Sequence, residues 1–188
     1  MIDLEGSKVL VTGGFGFFGR GICKALQTRN AEAVPVGSQE ANLLDLEPFI
    51  QLLDSVRPDY CIHAAGYNGG IEFNRMYPAD ILYTNTIMGL NLHHGCEYLG
   101  VKKVLSIMTS CAYPDCVTNL YGPHDTFNLV RTKVVGALIR KFVESHLEGG
   151  DSVECWGTGD PMREFMYVDD AGEAIVQALE KYEDSSLP

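Results

Sequence analysis

The densest run of chemistry-bearing residues is Thr12-Gly13-Gly14-Phe15-Gly16-Phe17-Phe18-Gly19. A glycine-rich turn that leaves a strand and opens a helix is suited to hold a pyrophosphate. Gly13 permits the tight turn, Gly16 lets the backbone approach the phosphates, and Gly19 lets the helix pack closely on the strand. The helix N-terminus adds unpaired N–H donors. The plainer alternative is a flexible turn rich in glycine. With a strand before and a helix after, the run predicts a dinucleotide site.

Other candidates are less complete. The second strand of such a site ordinarily ends in an acid that grips the ribose diol of NAD, or lies near an arginine that meets the 2′-phosphate of NADP. Val34-Pro35-Val36-Gly37-Ser38-Gln39 offers neither, so NAD and NADP both stay open. Asp45 is placed either to reach the adenine or to cap a helix. Thr109-Ser110-Cys111-Ala112-Tyr113-Pro114 follows a strand, where a hydroxyl and a thiol can polarise a carbonyl or move a proton. The same residues also suit a polar turn around a buried cysteine. Trp156, in Trp156-Gly157-Thr158-Gly159, could stack on a ring and Arg163 hold a phosphate. His93 and His94 are helix neighbours that point apart, and make poor joint metal ligands.

These groups need a scaffold, and the chain supplies a strand–helix rhythm. Lys8–Thr12 reads as a buried strand, Phe17–Arg29 as a helix, Ala33–Val36 as a strand and the stretch after Asp45 as a helix broken at Arg57-Pro58. Tyr60–Ala64, the long helix Ile81–Leu99 and Lys103–Met108 continue the pattern. Alternation of this kind predicts an α/β fold with a doubly wound parallel sheet. Then the rhythm fails. Val117–Leu120 reads as a strand, yet too few residues precede it for a parallel crossover, which takes a dozen or more. Either the two strands are not sheet neighbours or a crossover is missing. Val134–Leu147 reads as a helix, Ser152–Trp156 as a short strand and Asp169–Tyr182 as an amphipathic helix.

Composition narrows the function classes. The 188 residues carry 14 Lys+Arg against 25 Asp+Glu, a net charge of −11. Such acidity argues against nucleic acid and against a polybasic membrane contact. No apolar stretch approaches the roughly 20 residues that span a bilayer. Six scattered cysteines without paired metal-ligand spacing predict free thiols, no metal site and a cytoplasmic setting.

Taken together, the motifs resemble those of an extended short-chain dehydrogenase/reductase, and within it the GDP-L-fucose synthase (GDP-4-keto-6-deoxymannose epimerase/reductase) family. The blocks that carry the likeness are Thr12–Gly19, Ala64-Ala65-Gly66-Tyr67-Asn68-Gly69-Gly70-Ile71, Thr109–Pro114, Thr118-Asn119-Leu120-Tyr121-Gly122-Pro123-His124-Asp125, and Trp156–Asp170. The resemblance implies NADP or NAD as cofactor, a nucleotide-sugar substrate with GDP favoured, and a homodimer. It implies cofactor contacts along Gly13, Gly14, Phe15, Gly16, Phe17, Phe18 and Gly19, and at Ser38, Asn42 and Asp45. Further contacts fall at Ala64, Ala65 and Gly66, at Met108 and Thr109, and at Val117, Asn119 and Leu120. Thr109, Cys111 and Lys133 take catalytic places, Lys133 standing where the family has histidine. Asn119, Lys141, Trp156 and Arg163 take substrate contacts.

The departures from the pattern define further expectations. The family's Tyr-x-x-x-Lys helix, with a strand, is missing between 115 and 116. Tyr98 and Lys102 have the spacing but straddle a helix end at Gly100. The glycine-loop arginine of the family is Phe15 here. Residues 1–120 read as the NAD(P)-binding part, and 121–188 as a partial substrate region with a helix returning to it; the C-terminal part of the family's substrate domain is not among these residues.

Overall fold

The computed structural model describes residues 2–108, 118–129, 131–155, 157–160 and 162–182. Among these residues the elements follow in the order β1 (Lys8–Thr12), α1 (Phe17–Gln27), β2 (Glu32–Val36), α2 (Leu46–Val56), β3 (Tyr60–His63), α3 (Ile71–Met76), α4 (Pro78–Tyr98), β4 (Lys103–Ser106), β5 (Thr118–Tyr121), α5 (Val134–Leu147), β6 (Glu164–Tyr167) and α6 (Val168–Lys181).

Four strands form one parallel sheet in the order β2-β1-β3-β4. Alternation along each strand sends side chains to opposite faces. Val9, Val11 and Ile62 join Ile22 and Leu26 of α1 and Val176 and Leu179 of α6 in one core. Leu10 and Cys61 join Phe49 and Leu53 of α2 and Leu92 and Cys96 of α4 in the other. Helices therefore cover both faces, as a doubly wound sheet requires.

The end of α2 shows how local sequence sets a boundary. Arg57 adopts a left-handed φ of 50° and caps the helix through its N–H on the Leu53 carbonyl. Pro58 then forbids continuation. At the end of α4, Gly100 takes φ 72°. Tyr98 stays exposed at the helix end, whereas Lys102 pairs with Asp59 at 2.6 Å. The two therefore do not act as a tyrosine–lysine pair.

In the later chain one of the two readings offered for Val117–Leu120 holds, and the strand read over 152–156 is displaced. β5 is hydrogen-bonded to β6 in a separate parallel two-stranded sheet, Asn119 opposite Phe165. β5 and β4 are thus not hydrogen-bonded neighbours. Residues 152–155 form no strand; side chains of α5 hold them instead, Ser145 Oγ on the Ser152 carbonyl and Lys141 Nζ on the Glu154 carbonyl, each at 2.9 Å. The strand lies further on, at β6, whose largely exposed side chains lack the buried alternation that signals a strand in sequence. The short α3 also goes unannounced, because six residues are too few for a periodicity to register.

α6 returns to the first sheet and packs along α1. The crossing is close because glycines face each other: a Cβ on Gly172 would lie 2.5 Å from the backbone of Gly21. Among the described residues, Cys23, Cys61, Cys96 and Cys155 are free thiols. A hydrogen bond with Cys96, and secondarily burial, push the Cys61 thiol upward in pKa. No helix among the described residues is long and apolar enough to cross a membrane.

Candidate functional site

Consecutive elements β1–α1 and β3–α3–α4 leave the sheet on opposite faces, so a crevice opens between the C-terminal ends of β1 and β3. This is the topological switch point where open α/β sheets bind ligands. The glycine loop forms one wall. Gly13 has φ 68°, and a Cβ there would sit 2.8 Å from the Ala65 backbone. A Cβ on Gly19 would lie 2.1 Å from the Gly13 carbonyl oxygen. These positions let the loop and helix close on each other. At Gly16 the only near atom among the described residues is that same carbonyl, 3.1 Å away, so the loop's outer side is left for a ligand.

The first turn of α1 carries no acidic residue, and Gly16 at its N-cap has no side chain to cap it. The first N–H groups of a helix lack intrahelical partners. Those of Phe17, Phe18 and Gly19 are therefore donors for an anion at the positive end of the helix. The cradle fits a pyrophosphate by shape and by charge.

A polar row crosses the rim of the sheet beneath α4. Thr12, His63 and Ser106 are register partners on β1, β3 and β4. Thr12 Oγ1 lies 2.7 Å from His63 Nδ1 and accepts the Ala65 N–H at 3.4 Å. Ser106 Oγ lies 3.0 Å from Nε2 of His93 on α4. Burial, and secondarily the charge of His93, pulls the His63 pKa below the usual histidine value, which favours a neutral imidazole. His63 thus ties the glycine-loop strand to the 64–70 segment. A second clamp holds that segment: Asn85 Oδ1 accepts the Tyr67 N–H at 2.8 Å, and its Nδ2 donates to the Tyr67 carbonyl at 2.9 Å. Phe73 packs between Tyr67 and Tyr77, and Arg131 stands over its ring at 4.9 Å.

His63, Asn85 and Arg131 were not singled out by the sequence motifs. Asn85 gave no distinct signal, because the same helix also carries Thr84, Thr86, Asn91, His93 and His94. His63 and Arg131 gave none, since their partners are distant in the chain.

The remaining candidates are placed as follows. Ala64, Ala65 and Gly66 line the crevice after β3. Ser38, Asn42 and Asp45 are exposed on the segment after β2. Asp45 occupies the N-cap position of α2 without making the capping bond, and its carboxylate accepts Asn42 Nδ2 at 3.4 Å. Met108 is exposed beyond β4, and Asn119 and Leu120 lie on β5. Lys133 is the N-cap residue of α5. Lys141 reaches the Glu154 carbonyl, and Arg163 donates to the Met162 carbonyl at 2.8 Å. Thr109, Cys111, Val117 and Trp156 lie outside the described residues, as does the 115–116 junction. Among the described residues no cluster of His, Cys, Asp or Glu is arranged to hold a metal.

A family model described as the NAD dependent epimerase/dehydratase family matches residues 9–118 and 116–187. The GDP-L-fucose synthase of Escherichia coli (strain K12) is 30% identical over 222 residues, covering 92% of this chain and 69% of that protein. The GDP-L-fucose synthase of Sinorhizobium fredii is 29% identical over 233 residues, covering 98% and 74%. A gdp-l-fucose synthetase from Naegleria fowleri, solved bound to NADP, superposes with a TM-score of 0.82 at 24% identity, over 98% of this chain and 75% of that one. Fold, glycine cradle and sequence matches agree: the chain belongs to the NAD dependent epimerase/dehydratase family, an NAD(P)-binding extended short-chain dehydrogenase/reductase alongside the GDP-L-fucose synthases.

Proposed function

We propose that the chain is an NAD(P)-dependent epimerase/reductase for a GDP-linked 4-keto-6-deoxy sugar. The observation that carries the reading is the switch-point crevice. Its glycine cradle and its 64–70 wall, both pinned by the Thr12–His63 contact, belong to a chain whose relatives are named GDP-L-fucose synthase. Bound NAD(P)H would supply hydride to the ketone. The chain's own residues bind and orient: α1 N–H groups meet the pyrophosphate, Ser38, Asn42 and Asp45 face the adenosine, and Ala64–Gly66, Met108, Val117, Asn119 and Leu120 line the rest. Thr109 hydrogen-bonds the sugar oxygen, Cys111 removes the proton adjacent to the ketone, and Lys133 returns one. Asn119, Lys141, Trp156 and Arg163 hold the nucleotide sugar. Residues 1–120 serve the cofactor and 121–188 the substrate, with α6 returning to the cofactor part.

A second reading has its own support. The family match falls into two segments meeting at 116–118, and the alignments with the relatives run over 222 and 233 positions, more than this chain's 188 residues. Both facts suit a chain without the Tyr-x-x-x-Lys helix. General acid–base catalysis is worth ~10² to 10⁴ in rate, so turnover would fall by at least that range, leaving a nucleotide-sugar-binding protein. Intact mass, cofactor titration and turnover of GDP-4-keto-6-deoxymannose separate the two readings. Binding with turnover at ordinary enzyme rates supports the first, binding without turnover the second, and no cofactor binding overturns both.

The protein works as a homodimer in the cytoplasm, with neither nucleic acid nor membrane as partner. Leu82, Tyr83 and Leu90 of α4, each more than 60% exposed, supply an apolar face for a second copy. Leu90→Lys should convert a dimer to a monomer in sedimentation equilibrium; a monomeric parent protein would refute this assembly.

A further inference from the structure

The exit of β2 bears on which dinucleotide the cradle takes, and the inference rests on the dinucleotide reading of that cradle. The local sequence Val34–Gln39 holds no acid, but the chain turns back after it. Residues 38–40 form a turn, the Ala41 N–H closes on the Gly37 carbonyl at 3.2 Å, and Glu40 Oε2 accepts the Gly37 N–H at 2.8 Å. A carboxylate therefore stands at the C-terminal end of β2, 21 positions past Gly19. That is the place and approximate spacing at which a dinucleotide fold holds the ribose 2′-hydroxyl.

Phe15 completes the wall. A Cβ on Gly37 would lie 3.1 Å from Glu40 Oε2 and 3.2 Å from the Phe15 ring. An aromatic ring and a carboxylate thus flank the same backbone atom on the adenosine side of the loop. Among the described residues no cation pairs with Glu40. Arg20 is the cation that touches the loop, and its Nε donates to the Phe15 carbonyl at 2.9 Å. Its side chain lines a different cleft with Lys24, Pro123, His124, Tyr167 and Asp169. A 2′-phosphate at the β2 exit would meet a carboxylate and a ring, with no counter-charge.

We infer that Glu40 and Phe15 set the cofactor preference, and that this chain selects NAD(H) over NADP(H) through the ribose 2′ position. Glu40 accepts the 2′-hydroxyl proton of NAD and repels a 2′-phosphate, while Phe15 occupies the space a phosphate-binding cation would need.

Calorimetric titration of the full chain with NAD⁺ and NADP⁺ at one ionic strength tests this without turnover. NAD⁺ should bind at least about tenfold more tightly. Glu40→Gln should narrow the ratio, and Ser38→Arg, on the exposed turn, should reverse it, with far-ultraviolet circular dichroism reporting that both variants fold. NADP⁺ binding as tightly as NAD⁺ in the parent protein, or a ratio unmoved by Glu40→Gln, overturns the inference and leaves the dinucleotide reading standing. Binding of neither overturns both.

Discussion

α5 and α6 are both 14 residues long and flank β6, yet they are held differently. α6 buries Val168, Ala171, Gly172, Val176 and Leu179. It is also stapled to α1 by charge: Arg29 bonds both Glu173 and Glu180, and Lys24 pairs with Asp169 at 2.5 Å. α5 buries only Gly136, and leaves Phe142, Val143 and Leu147 more than half exposed among the described residues. Apolar content therefore does not distinguish them; a partner surface does. The four-stranded sheet recruits a helix from the far end of the described chain and closes its core. α5 keeps an apolar face without such cover among the described residues.

The largest expected contrast comes from truncating one apolar side chain in each helix. Leu179→Ala should cost about 3 kcal/mol of unfolding free energy in urea, since the side chain is fully buried between α6 and the sheet. Phe142→Ala, at 56% exposure, should stay within about 0.5 kcal/mol. Comparable losses at both sites would mean α5 is covered in solution.

Next comes the ion-pair staple. Arg29→Ala should destabilise by about 1 to 2 kcal/mol, because the guanidinium is mostly shielded while water reaches Glu173 and screens that bond. Hydrogen exchange in α6 should rise selectively, with α5 unchanged.

Acid should act on the same contact. The Arg29 hydrogen bonds hold the Glu173 carboxyl down at about 2, against roughly 4.3 in an unfolded chain. This stabilisation is fully present above the unfolded value and is lost as pH falls toward 2. Glu173→Gln should flatten that part of the stability–pH curve; an unchanged slope would remove the staple from the account of α6.

The smallest effect is expected at the rim of the sheet. His63 is depressed below its usual pKa, so between its folded value and about 6.5 the unfolded state binds the proton more readily. Stability should therefore fall slightly as pH drops through that window. His63→Asn should remove the dependence, read by urea unfolding at pH 7.5 and 5.5.

Much of the four-stranded sheet and its helices was legible because their signals are local. The glycine run, the β-branched strands and the helix break at Arg57-Pro58 each act within a few residues. What was not legible depended on return contacts. Glu40 lies outside the strand-end window and reaches the β2 exit only through a turn. The Thr12–His63–Ser106 row exists only because three strands pair in one register. Asn85 clamps Tyr67 from 18 positions away. β5 gave a strand pattern, but its partner had none, so their pairing was invisible.

Residue order alone thus determined a parallel α/β scaffold and the place of its glycine-rich strand-to-helix turn, because backbone permissiveness and side-chain periodicity are properties of short segments. Tertiary structure decided which strands share a sheet, which of two similar helices is buried, and that a carboxylate stands at the exit of β2. Those outcomes depend on distances between residues remote in sequence, which register and packing set.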